Sequence, residues 1–141
     1  MSGKYIYEVM TNYPQLIGED KEVWDRFIQK YPDRFDTVDY DVHVGSGKET
    51  PEEPESKPAQ QWKDLTRKRI DVIGWNRDFA TIIKVNKRVG LPTLGQVFEY
   101  RYLYHRENSD VFLKPLLIIY SQINQDDMDF LALCGILHEV V

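Results

Sequence analysis

Three polar residues on two neighbouring predicted strands have types and spacing that could do chemistry, namely Asp71, Lys84 and Asn86. Lys84 and Asn86 are two residues apart, so they share one face of their strand. An aspartate about a dozen residues before a Glu-x-Lys strand is typical of metal-dependent phosphodiester cleavage, in which carboxylates hold Mg²⁺ and the lysine orients water or stabilises developing charge. This chain has lysine where that chemistry needs an acid, and asparagine where it needs lysine.

A predicted hairpin must position these residues. Residues 69–75 and 79–85 are apolar and rich in β-branched side chains, and the polar residues 76–78 between them are a turn signal. A helix is predicted over 93–107, with Thr93 and Gln96 forming a capping box at its start.

Periodicity and capping signals predict the other elements. They are a helix over 20–31 with Asp20 as N-cap, strands over 37–44, 115–121 and 136–141, and a helix over 125–134 between Asn124 as cap and Gly135 as stop. This order predicts an α/β fold, with a mixed sheet flanked by helices. Residues 45–61 are rich in Pro and Glu and contain no aliphatic residue except one alanine, so a flexible loop is expected within a single domain over 1–141.

Residues 69–104 resemble the core of the PD-(D/E)XK nuclease superfamily. The likeness rests on Asp71, on the strand at 82–86, and on a helix with Gln-x-x-x-Tyr as Gln96 and Tyr100, a motif similar to that of RecB-like members. The resemblance implies a restriction-endonuclease-like core, α-β-β-β-α-β, followed by a C-terminal helix and strand. Asp71, Lys84, Asn86, Gln96 and Tyr100 would then hold the catalytic positions.

The departures at Lys84 and Asn86 predict that this site is inactive. A protonated lysine cannot ligate Mg²⁺, and its charge repels the cation at contact range. We therefore expect the Lys84 ammonium to take the metal position and pair with Asp71, with no cofactor bound. Lys87 is one residue out of phase and should leave the opposite face of the strand.

An active Mg²⁺- or Mn²⁺-dependent endonuclease is the alternative. Its metal ligands would have migrated to Asp71, Asp41 and Glu22, and Lys87 or Lys68 would supply the cation. These carboxylates would have to converge on one ion at about 2.0–2.6 Å.

The charge distribution indicates where a polyanion would bind. The net charge is −5, yet residues 62–88 carry eight basic side chains against three acidic ones: Lys63, Arg67, Lys68, Arg69, Arg77, Lys84, Lys87 and Arg88 against Asp64, Asp71 and Asp78. Solvated charges on strand ends are one explanation, and a phosphate-facing edge is the other. On the second interpretation, DNA would contact Lys68, Arg69, Lys87, Arg88 and Arg101.

Several signals also have purely structural explanations. On this explanation Asp71 would pair with a neighbouring basic side chain, Gln96 would serve only the capping box, and Tyr100 would pack on the sheet.

Composition limits the class of protein. A single cysteine, Cys134, allows no intramolecular disulfide, the first residues do not resemble a secretory signal, and the apolar runs are too short for a bilayer. We expect a protein of the host cytoplasm or of a virion, because the compact domain resembles small bacteriophage-encoded proteins in which disarmed enzyme folds become particle components. Its partner would be DNA or a protein, with a homo-oligomer or a larger assembly as the functional form.

Overall fold

The computed structural model describes residues 3–48 and 55–141. These residues form four helices, α1 (Gly18–Lys30), α2 (Lys57–Leu65), α3 (Leu91–Glu107) and α4 (Gln125–Leu133). They also form seven strands: β1 (Tyr5–Ile6), β2 (Thr37–Val44), β3 (Lys68–Asn76), β4 (Phe79–Val85), β5 (Phe112–Leu113), β6 (Leu117–Tyr120) and β7 (Leu137–Val140).

All seven strands belong to one mixed sheet, which confirms the predicted α/β class. The strand order is β1-β2-β3-β4-β6-β7. The two-residue strand β5 pairs parallel with the first two residues of β4. The first four strands pair antiparallel, whereas β4, β6 and β7 are parallel and are joined through α3 and α4. The predicted hairpin is therefore confirmed, and so are the two parallel crossovers.

Helices cover both faces of the sheet. On one face α1 buries Trp24 and Phe27 against β2, β4 and β6, and the Trp24 indole N–H donates to the Tyr40 hydroxyl at 3.0 Å. On the other face α3 and α4 cover a second core that includes Ile82 and Ile118. All four residues of β6 are buried because both of its faces are covered.

Several element ends differ from the predictions. Helix α1 begins at Gly18, so Asp20 lies inside its first turn and Ile17 is the N-cap. Helix α3 begins at Leu91 after Gly90, so the capping box at Thr93 is wrong: Thr93 is buried within the first turn. The Asn124 cap is confirmed, since its side chain accepts from the Asp127 N–H at 2.8 Å.

The predicted loop over 45–61 is too long. Residues 57–61 belong to α2, which starts after a Ser56 cap that accepts from the Ala59 N–H. Pro at the start of a helix is favourable, because the missing N–H has no intrahelical partner there. Residues 49–54 of the predicted loop lie outside the described residues.

Within the described ranges, no helix combines the length and the apolar character needed to cross a bilayer.

Candidate functional site

The strands of the central hairpin separate at the position of the predicted site. The β3–β4 pairing begins at Val72 and Ile83 and runs toward the turn. Beyond that pair, away from the turn, β3 and β4 no longer pair with each other. There β3 pairs only with β2, where Arg69 lies opposite His43. Strand β4 pairs there with β6, where Lys84 lies opposite Ile118. A gap therefore opens between the two strands, and we call it the β3–β4 gap, lined by Asp71, Lys84 and Val85.

The Asp71 carboxylate fills this gap. Its Oδ2 atom accepts from the Val85 backbone N–H at 3.0 Å and lies 3.2 Å from Lys84 Nζ. The Asp71 and Lys84 side chains are only 22% and 20% exposed. The carboxylate thus replaces the missing strand pairing, and the predicted contact between Lys84 and Asp71 is present.

Burial dominates the electrostatics of Asp71. Loss of solvent raises the pKa of its carboxyl, the Lys84 charge and the Val85 N–H lower it, and the nearby Asp20 carboxylate raises it again. The net pKa lies above the ordinary value of 3.8. Desolvation therefore outweighs the ion pair, as expected when a carboxylate leaves water with a single cationic partner.

Asn86 and Lys87 turn to different sides of the sheet. The Asn86 side-chain amide lies 3.5 Å from the Thr93 hydroxyl of α3. Lys87 instead contacts α1, where its Nζ lies 2.9 Å from a Glu19 carboxylate oxygen and its backbone N–H donates to Asp20 at 3.1 Å. Lys87 is therefore committed to the opposite side, as strand parity predicts.

The other acids proposed as metal ligands have different surroundings. Asp41 lies in β2 with its Oδ2 3.5 Å from an Arg69 guanidinium nitrogen and 3.4 Å from His43 Nε2. Glu22 is exposed on α1. Among residues 3–48 and 55–141, no three His, Cys, Asp or Glu side chains group in a way that could hold a metal ion.

The residues of the β3–β4 gap do not fit Mg²⁺ or Mn²⁺. The Asp71 oxygen that would ligate the ion already accepts from a backbone N–H and faces an ammonium group. A divalent ion on that oxygen would meet the Lys84 charge at contact range, where repulsion is strong in a partly desolvated site.

The Gln-x-x-x-Tyr residues lie on α3. Gln96 is exposed, whereas Tyr100 is partly buried and packs against the core beneath α3. The packing explanation thus accounts for Tyr100, and no capping role remains for Gln96 because the helix starts two residues before Thr93.

Most of the basic residues proposed for nucleic-acid binding are engaged within the protein. Lys68 pairs with Glu99, Arg69 with Asp41 and Lys87 with Glu19. Arg101 donates to the Leu113 and Lys114 carbonyls at 3.5 and 3.2 Å, and Arg88 is exposed. A polyanion would have to compete with carboxylates for three of the five cations.

Sequence reasoning missed the position of Asp20. This residue, rather than Glu22, is the α1 acid that influences Asp71 electrostatically, and it also binds the chain just after β4. Helical periodicity places Asp20 on the same side of α1 as the buried Val23 and Trp24, and Glu22 on the exposed side. The spacing of these residues could therefore have distinguished the two acids.

Comparisons with known proteins gave no relatives: no family model matches the chain, and no curated protein or solved structure matches it either.

Proposed function

We propose that this chain is a nuclease-fold protein that does not cleave nucleic acid and acts by binding or assembly. The observation that carries the proposal is the Lys84 ammonium 3.2 Å from Asp71 in the β3–β4 gap. The order α1, β2, β3, β4, α3, β6 supports a restriction-endonuclease-like core, with α2 inserted between β2 and β3.

The substitution pair explains the loss of chemistry. Lys84 supplies the positive charge that a metal ion would otherwise supply, but a fixed ammonium cannot activate water as a Lewis acid does. Asn86 is neutral and cannot stabilise developing negative charge as a lysine would. Both functions of a metal-dependent nuclease site are therefore missing from the residues that occupy its positions.

Internal ion pairing favours a protein partner over DNA. Nucleic-acid affinity comes largely from cations that neutralise phosphates, and three of the five proposed cations are already neutralised by Glu99, Asp41 and Glu19. A structural component of a larger assembly, such as a bacteriophage particle, is consistent with this arrangement.

The test is cleavage of plasmid and single-stranded DNA with Mg²⁺ or Mn²⁺, using the natural chain, Lys84→Glu/Asn86→Lys, and Asp71→Ala. The proposal expects no cleavage by the natural chain. Cleavage by the double variant alone would identify a nuclease site disarmed by two substitutions. Cleavage by the natural chain that Asp71→Ala abolishes would overturn the proposal in favour of an active enzyme with migrated ligands.

A binding measurement separates the two non-cleaving roles. If the chain binds DNA, affinity should fall steeply as salt rises, because phosphate contacts release counterions. Binding that survives high salt, or no binding at any salt, supports the role in protein assembly.

A further inference from the structure

The outer surface of the α3 and α4 layer is unusually apolar. Both helices pack on the same face of the sheet, through one core. Their outward side nevertheless exposes five large apolar side chains: Leu91 (66%), Phe98 (45%), Tyr102 (61%), Phe130 (43%) and Leu133 (82%). We call this surface the α3–α4 outer face. An exposed apolar patch on a helix layer marks an interaction surface.

Helix α3 has two apolar sides. Its inner side contributes Leu94 and Val97 to the core. A second stripe runs along its outer side through Leu91, Phe98 and Tyr102, with positions 95 and 105 completing alternating spacings of four and three residues. This spacing is that of a helix seam packed against another helix. A helix that is apolar on more than one side is covered on more than one side.

Gly95 lies in this seam, and the fold of one chain does not explain it. Its φ is not in the left-handed region, and a Cβ built there meets no described atom within 4 Å. Glycine inside a helix is less favourable than alanine or other good helix formers, so a structural reason is expected. A second helix that approaches the Gly95 backbone closely provides that reason.

The charges of the α3–α4 outer face differ between its two ends. Helices α3 and α4 each return from the end of one parallel strand to the start of the next, so they run in the same direction. The first turn of α4 carries Asp126 and Asp127 near the C-terminal ends of the parallel strands. The last turn of α3 carries His105 and Arg106 near the N-terminal ends of those strands. The face is therefore acidic at one end and basic at the other, with the apolar residues between.

We propose that the α3–α4 outer face binds a second copy of this chain in a two-fold symmetric dimer. A two-fold axis that lies in the interface plane and runs across the helices brings the same surface of both copies face to face, with the helices roughly antiparallel. The acidic end of each copy then lies over the basic end of the other, and the Gly95 seams meet near the axis. This surface is separate from the β3–β4 gap, so the proposal stands or falls independently of the loss of cleavage.

Sedimentation velocity of the full chain tests the dimer. We expect a species of twice the 16.7 kDa chain mass, and we expect Leu133→Asp to give the single-chain mass. Ile17→Asp is the matched control, because Ile17 is 75% exposed outside this face and aspartate is a good N-cap residue there. The control should remain dimeric. A natural chain that sediments as a monomer, or a dimer that Leu133→Asp leaves intact, overturns the proposal.

Gly95→Gln provides a test that does not depend on damage to the fold. Glutamine is a good helix former, so the variant should unfold at a higher temperature than the natural chain under dilute, monomeric conditions. Its association should be weaker by about tenfold or more, because an extra side chain must enter a packed seam. Higher stability with unchanged association would overturn the close approach at Gly95.

Charge reversal tests the orientation of the two copies. Asp126→Lys and Arg106→Glu should each weaken association, and the two changes together in one chain should restore part of it, because each copy then offers reversed but complementary ends. If the combined variant associates more weakly than both single variants, the two-fold arrangement is wrong.

Discussion

The β3–β4 gap and the surroundings of Asp41 are both interruptions of regular strand structure that hold a carboxylate beside a cation. At the gap, one Asp71 oxygen is in contact with both the Lys84 ammonium and the Val85 backbone N–H. Asp41 instead has a left-handed backbone with φ of 52° and lines an open cavity of about 480 Å³. Its partners, Arg69 and His43, lie at 3.4–3.5 Å.

The side chains of Asp41 and Asp71 are similarly buried, at 18% and 22% exposed, so the two places differ in the solvent access of the second carboxylate, Asp64, beside His43. Asp71 is desolvated, so its ion pair and hydrogen bond must compensate for burial, and removing either partner leaves a charge without compensation. His43, which contacts Asp41, also lies 3.2 Å from Asp64, whose side chain is 59% exposed. Water therefore screens the contact between His43 and Asp64. A carboxylate and a cation can therefore be structurally essential in one place and nearly neutral for stability in another.

The strongest test of this contrast is removal of Asp71. We expect Asp71→Ala to lower the free energy of unfolding by about 3 kcal/mol, because Lys84 loses its partner and the Val85 N–H loses its acceptor. Asp64→Ala is the comparison in the open cluster and should change stability much less. Urea denaturation of both variants measures the effect, and equal losses would contradict the assignment of Asp71 to a closed site.

Removal of the other partner should be nearly as severe, and reversible by a second change. Lys84→Met is expected to cost about 2 kcal/mol at neutral pH by leaving a buried carboxylate unpaired. In Asp71→Asn/Lys84→Met both charges are gone and the side chain can still accept from the Val85 N–H, so stability should return to within about 1 kcal/mol of the natural chain. A double variant no more stable than Lys84→Met would show that the ion pair has another structural role.

The backbone at Asp41 should respond to side-chain shape more than to charge. Asparagine tolerates the left-handed region, so Asp41→Asn should cost less than about 1 kcal/mol, whereas the β-branched Asp41→Val should cost about 2 kcal/mol. Thermal denaturation of the two variants gives the difference. Equal stabilities would mean that β2 relaxes out of the left-handed conformation when Asp41 is replaced.

The smallest expected effect is a difference in pH dependence. The pKa of Asp71 in the folded chain is raised above 3.8, so the folded chain binds this proton more tightly than the unfolded chain. The natural chain should therefore lose stability relative to Asp71→Asn as pH rises from 3.8 through the raised pKa. The His43 hydrogen bond lowers the pKa of Asp64 below 3.8, so the natural chain should keep its advantage over Asp64→Asn above 3.8 and lose it as pH falls further. Urea midpoints from about pH 3 to about pH 7 compare the two slopes, and slopes of the same sign would contradict the contrast.

The regular elements could be predicted because their signals are local. Alternation of apolar residues identified β2, and the turn signal at 76–78 identified the hairpin. Asn124 and Gly135 marked the start and the end of α4, and Gly135 adopts a φ of 70°. Strands β1 and β5 could not be found, because each has two residues and exists only through its neighbour. Helix α2 was missed because polar and proline-rich composition outweighed its Ser56 cap.

The candidate site was predictable in part. The family resemblance predicted the contact between Asp71 and Lys84. Strand parity predicted that Lys87 leaves the opposite face, because alternation of side chains is a property of the backbone. The separation of β3 from β4, the influence of Asp20 and the pairing of Lys68 with Glu99 depend on how distant segments pack. No local pattern encodes those distances.

The sequence by itself determined the mixed α/β class, the hairpin that carries Asp71 and Lys84, and the absence of an acid at position 84. These follow from periodicity and residue type, which act over a few residues. Only the tertiary structure decided that the Asp71 carboxylate is buried in a strand gap, that most of the proposed basic residues are internally engaged, and that one side of the α3 and α4 layer remains uncovered. Desolvation and long-range ion pairing decide these features, and both depend on contacts that form when the whole sheet assembles.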